Sequence, residues 1–140
     1  MPRHGRDDAE WNTLIDTGLA FLVERAKLAD AHGNLRPSSY TELNAVLTGR
    51  TGFRPFNFDH DSERRAVGEL LGDMTGQHRS RTGTDFMISA LVYYLGENDV
   101  GPGFYKEAIR LGLLKPSPSV DDKLVFWIAQ CKAIAGHYGR

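Results

Sequence analysis

The chain has 140 residues, 41% of them apolar and 25% charged, with a formal net charge of −1 and one cysteine. That apolar share lets one domain bury a core without disulfide or metal staples, and it excludes a chain disordered throughout. Near-neutral charge weighs against a dedicated polyanion binder, a lone cysteine excludes an intramolecular disulfide, and no run reaches the ~20 apolar residues of a membrane span.

The opening Met1-Pro2-Arg3-His4-Gly5-Arg6 has no apolar run behind it. No signal peptide is expected, and the expected location is the cytoplasm. Residues 1–8 read as a flexible polar lead-in, and residues 9–138 as one helical domain.

The first helix carries Trp11, Leu14, Ile15, Leu19, Leu22, Val23 and Ala26 at three- and four-residue spacing, which sets them on one face. Gly33-Asn34 is its expected stop. A second helix follows Pro37. Its Ser39-Tyr40-Thr41-Glu42 has capping-box spacing, and Leu43, Val46 and Leu47 form its inner face. Gly49 and Gly52 close it. The loop 49–61 carries Phe53, Phe56 and Phe58, rings expected to dock on the core.

A third helix is predicted over 61–75, capped by Asp61, buried through Val67, Leu70, Leu71 and Met74, and ended by Gly76. Residues 76–85 are polar and lack periodicity, so a mobile loop is expected there. Residues 86–95, rich in β-branched and aromatic side chains, fit either a strand or a short buried helix. A Gly-rich turn over 96–103, a helix over 104–112, breaks at Pro116 and Pro118 and a last helix over 120–136 complete the chain. Leu124, Ile128, Cys131 and Ala135 are the predicted inward residues of that last helix. The fold class is therefore mainly α: a winged-helix-like helix-turn-helix core with a short β strand or hairpin, flanked by N- and C-terminal helices. The helix 61–75 would be the recognition helix and the turn near 97–103 the wing.

Two motifs bear on function. Ser39-Tyr40-Thr41-Glu42-Leu43 and Arg65-Ala66-Val67-Gly68-Glu69-Leu70-Leu71 resemble the DNA-binding domain of the methylated-DNA–protein alkyltransferases and alkyltransferase-like proteins. Those carry a Ser/Thr-Tyr-x-x-Leu-Ala helix, then Arg-Ala-Val-Gly-x-Ala-Leu/Met on the recognition helix. The first motif matches at Ser39, Tyr40 and Leu43, with Asn44 in place of Ala. The second matches at Arg65, Ala66, Val67, Gly68 and Leu71, with Leu70 in place of Ala. Ile88-Ser89-Ala90-Leu91-Val92 falls where the family has Ile-Pro-Cys-His-Arg-Val, and Gly101-Pro102-Gly103-Phe104 where it has a Gly-Gly-Tyr-type turn. The resemblance covers about residues 38–112. The inter-helix loop is longer here, the alkyl-acceptor cysteine is replaced by Ala90, and the neighbouring histidine is absent. Alkyl transfer is therefore not expected.

The resemblance implies that Arg65 enters the base stack from the minor-groove side and that Tyr40 works near the backbone of a target nucleotide. A planar, permanently charged guanidinium suits the first role. Gly68 would permit close helix packing or approach to a phosphate. Arg64 lies beside Arg65, and Arg79 and Arg81 lie with His78 in the expected loop. Residues 36–82 hold seven cations, all Arg, against six carboxylates: nearly neutral, but of the type favoured for phosphate. A DNA role predicts a continuous basic face joining Arg65, Arg79 and Arg81.

Other candidates carry less. Asp59-His60-Asp61 has ligand chemistry but no complementary cluster, so no metal is expected. Cys131 reads as a structural thiol and His137 as solvated. No nucleophile–base pair, P-loop or zincin motif is present, so neither an enzyme nor a cofactor is expected. Two readings stand. One is a non-enzymatic module binding double-stranded DNA. The other is a protein-interaction or homodimerisation domain using the terminal helices, where Phe126-Trp127 points one ring outward.

Overall fold

A computed structural model describes residues 4–30, 32, 34–93 and 100–139. Five helices make up most of it: α1 (Asp8–Ala26), α2 (Tyr40–Thr51), α3 (Asp61–Thr82), α4 (Pro102–Arg110) and α5 (Val120–Tyr138). A 3-10 turn, Ile88–Leu91, leads into β2 (Val92–Tyr93), which pairs in parallel with β1 (Ser38–Ser39) in the register Ser38 to Val92 and Ser39 to Tyr93. The protein is mainly α with a short β element, as its patterning predicts. The segment left open between strand and helix contains both a 3-10 turn and a strand. The turn expected over 96–103 lies largely outside the described residues, with Val100 onward inside them.

α1 is the central helix and packs against α2, α3, α5 and the 3-10 turn. Asp7 caps it, its carboxylate accepting from the Glu10 amide at 2.8 Å. Trp11, Leu14, Ile15, Leu19, Phe21, Leu22 and Ala26 are buried along it. Gly18 lets α3 come close: a Cβ there would fall 2.7 Å from Met74 Cε. α1 stops at Ala26 rather than near Gly33-Asn34. Beyond it, Asp30 accepts from the amides of His32 and Asn34, a local turn that competes with helix.

Within the expected lead-in, Arg6 packs into the core. Arg6 is fully buried and donates to both carboxylate oxygens of Glu63 at 3.0 and 3.4 Å. Its guanidinium carbon lies 3.9 Å from the Phe56 ring centroid. Polar composition hides this, because the buried group is a cation whose charge is met by the Glu63 carboxylate, the more distant Glu10 carboxylate and the Phe56 ring.

Ser39 caps α2 by accepting from the Glu42 amide at 3.0 Å. The reciprocal arm goes elsewhere: the Glu42 carboxylate accepts from the Ser38 hydroxyl and pairs with Arg25. Phe56 is buried, and Phe53 and Phe58 pack on the core, as expected of that loop.

α3 differs most from its predicted form. It runs through Gly76 to Thr82 and ends at Gly83, whose φ of 70° supplies the left-handed cap. Arg79 and Arg81 are therefore on its last turn, not in a mobile loop. The inward stripe continues from Val67, Leu70, Leu71 and Met74 through Thr75 and His78, the last two polar yet buried. Thr75 donates to the Ser89 hydroxyl at 2.9 Å, and His78 Nε2 lies 2.6 Å from the Tyr138 hydroxyl. At its start, His60 is the N-cap without a side-chain hydrogen bond, and Asp61 pairs with Arg64 instead of capping.

α5 keeps only part of its predicted phase. Of the four predicted inward residues, Cys131 and Ala135 do face the core, but Leu124 and Ile128 are exposed, and Phe126, Trp127, Ile134 and Tyr138 complete the inward side. Neither ring of Phe126-Trp127 projects outward. Trp127 Nε1 donates to the Ala90 carbonyl at 2.9 Å, tying α5 to the 3-10 turn.

Candidate nucleic-acid interface

The N-terminal two-thirds of α3 forms one side of a cleft of about 1010 Å³. At about 100° per residue, Arg65, Gly68, Gly72 and Gly76 share one side of the helix. A Cβ at Gly68 or Gly76 would meet nothing within 4 Å, so three glycines keep this side of the cleft clear. Trp11, Asn12 and Ile15 of α1 line it, as do Phe104, Lys106, Glu107 and Arg110 of α4, Ser89 of the 3-10 turn and Tyr40 of α2.

Four of the six predicted site residues meet here: Tyr40, Arg64, Arg65 and Gly68 all line the cleft. Tyr40 is half-buried and stacks edge-on against Phe58, their centroids 6.5 Å apart at 84°. Arg64 is committed locally, bonded to the Phe58 carbonyl and to Asp61. Arg65 is exposed and has no ion-pair partner among the described residues. Lys106 is likewise exposed and unpaired there.

Arg79 and Arg81 do not join them. Arg79 lies about 21 Å along the helix axis from Arg65 and about 40° round it, on the same side but beyond the cleft. Its Nε is buried without a hydrogen-bond partner. Arg81 lies about 160° round from Arg65 and pairs with Asp16 of α1 at 2.9 Å. The continuous basic face predicted through these three residues is absent, because one of them is turned away and neutralised.

The cleft itself is charge-balanced. Arg64, Arg65, Lys106 and Arg110 face Asp61, Glu69, Asp73 and Glu107. Much of this is spent in pairs: Arg64 with Asp61, Arg110 with Glu107, and Glu69 with His4 at 2.9 Å. Trp11 Nε1 donates to Asp73 at 2.9 Å. Arg65 and Lys106 remain as the positive groups without such a partner.

Near the α3 N-terminus, Glu63 is held in the ionised form. Burial acts to raise its carboxyl pKa, but the Arg6 hydrogen bond and charge, the Asn57 amide and Arg54 together bring it below the ordinary 4.5. Cys131 lies outside the cleft, half-buried, and burial raises its thiol to about 11, far from a thiolate at neutral pH. Asp59-His60-Asp61 is exposed, and among the described residues no three His, Cys, Asp or Glu side chains gather around a common metal position. No described helix is long and apolar enough to cross a membrane.

Sequence reasoning missed Trp11, Phe104 and Lys106. The three glycines of α3 at four-residue spacing were the available signal, since on a helix they clear one stripe. No family model, no curated protein and no solved structure matches this chain.

Proposed function

We propose that this protein is a non-enzymatic DNA-binding module of winged-helix type that grips duplex DNA with the N-terminal half of α3. One observation carries the reading. Tyr40 lies far in sequence from Arg65 and Gly68, yet all three line one cleft, and Arg65 there is exposed with no ion-pair partner among the described residues. A guanidinium without a protein partner keeps its five donors for phosphate or a base edge. Lys106 on the facing α4 wall adds a second cation to the same opening. The balanced remainder predicts modest affinity, with few phosphates neutralised. The cleft volume is ample for one unstacked base, which makes a distorted duplex the preferred target.

Fluorescence anisotropy with a labelled duplex, with and without a central mismatch, tests this. Binding is expected at low salt with a log–log slope near −2, from about two phosphate contacts. Arg65→Ala should weaken it about tenfold, or ~1.4 kcal/mol. Lys106→Ala should weaken it less, and Arg81→Ala should leave it unchanged, since that side chain is held by Asp16. No measurable binding at low salt, or equal loss in Arg65→Ala and Arg81→Ala, would overturn the reading.

A further inference from the structure

α5 carries a face that no described element covers. Among the described residues, four of the five large exposed apolar side chains lie on it: Val120, Leu124, Val125 and Ile128, at 82%, 49%, 68% and 43% exposure. Scattered surface apolar residues need no explanation, but a cluster on one helix does. Leu124, Val125 and Ile128, together with the exposed Asp121 and Lys132, occupy an arc of about 100°. That arc lies opposite the buried Ile134 and the core-facing Phe126 and Gln130.

The arc is complementary to itself. Four of its five residues pair evenly about a point between Phe126 and Trp127. Inverting a second α5 on the first sets Asp121 opposite Lys132 and Val125 opposite Ile128, with Leu124 at the edge of the arc. Asp121 and Lys132 have no ion-pair partner among the described residues, so both are available for this contact. A parallel arrangement would instead oppose Asp121 to Asp121 and Lys132 to Lys132. Charge thus selects one orientation, and a two-fold axis turns that single pair into two salt bridges around an apolar centre.

From this pattern we infer that the protein self-associates as an isologous dimer through antiparallel α5 helices. The helix is about 28 Å long, so the contact falls in the small interface class, below about 1,200 Å² in total, and the dimer is reversible. None of the residues lining the cleft comes from α5, so both clefts stay open in the dimer.

Sedimentation velocity of the full chain over about 10 μM to about 1 mM tests the inference, a range suited to so small an interface. The expected result is a mass rising from 15.6 kDa toward twice that value. Ile128→Asp should hold the protein monomeric. Asp121→Lys or Lys132→Asp alone should weaken association about tenfold by opposing like charges. The double exchange D121K/K132D should restore it to within about twofold. These positions are exposed, so circular dichroism of each variant should match the parent. A monomer at every concentration overturns the inference, as does a dimer indifferent to both single exchanges. Association weakened by the single changes but not restored by the double one overturns the antiparallel register.

Discussion

α3 and α5 relate polarity to burial in opposite ways. α3 buries Glu63, Thr75 and His78 among its apolar residues, while α5 leaves Val120, Leu124, Val125 and Ile128 in solvent. The difference follows from their neighbours. α3 is packed by α1, α4 and the 3-10 turn, so the side carrying Glu63, Thr75 and His78 meets protein, and each of these side chains finds a hydrogen-bond partner there. α5 packs mainly on the 3-10 turn and α1, and its other side is exposed among the described residues. Burial follows what lies across a face, and the side chain's own hydropathy only biases which face that is.

The strongest way to break this comparison is to remove the group that makes α3's buried charge tolerable. Arg6 is fully buried on Glu63 and Phe56, so Arg6→Ala leaves a carboxylate in the core with the exposed Arg54 and the Asn57 amide beside it. Loss of a buried partner of this kind costs about 3–5 kcal/mol. A urea midpoint lowered by that amount is expected, and an unchanged midpoint would show that α3's buried polar contacts are incidental. The same pair sets an acid limit. Because Glu63 is held below its ordinary 4.5 in the folded state, its stabilisation is complete above that pH and is lost as pH falls through the depressed folded value. Arg6→Ala should flatten that acid limb.

Two isoleucines six residues apart sharpen the other side of the comparison. Ile134 is fully buried and Ile128 is 43% exposed on the same helix. Ile134→Ala should cost about 2–4 kcal/mol, through lost transfer energy and the cavity left behind. Ile128→Ala should stay within about 0.5 kcal/mol at concentrations where the chain is monomeric. Comparable losses at the two positions would mean that α5 is covered on both sides in solution.

These two helices also show how much the sequence could reveal. Helix existence was legible in nearly every case, because Trp11, Leu14, Ile15 and Leu19, or Val67, Leu70, Leu71 and Met74, repeat at helical spacing. The end of α3 was not, because Thr75 and His78 continue its stripe as polar residues whose partners, Ser89 and Tyr138, are distant in sequence. The phase of α5 was legible only at Cys131 and Ala135, because two apolar stripes compete on the helix and contact with the 3-10 turn decides between them. Part of the cleft was legible through Tyr40, Arg64, Arg65 and Gly68. Trp11 and Lys106 reach it only through the packing of α1 and α4 on α3, which no local pattern encodes.

The smallest expected effect separates the two halves of α3 by pH. His78 is buried against Phe86 and Tyr138, and its pKa lies below the ordinary 6.5, chiefly through burial and further through the charge of His137. The unfolded chain therefore takes up a proton at a higher pH than the folded one. Stability is complete above about pH 6.5 and declines as pH falls below it, until the depressed folded pKa is passed. His78→Phe keeps an aromatic ring in the same surroundings and removes the titration. Its unfolding midpoint should vary less between pH 7 and pH 5 than the parent's, although it gives up the bond to Tyr138 and starts lower at pH 7. A parent profile as flat as the variant's would mean that His78 binds its proton equally well in the folded and unfolded states. The C-terminal turns of α3 would then be more open to water than their packing against Phe86 and Tyr138 requires.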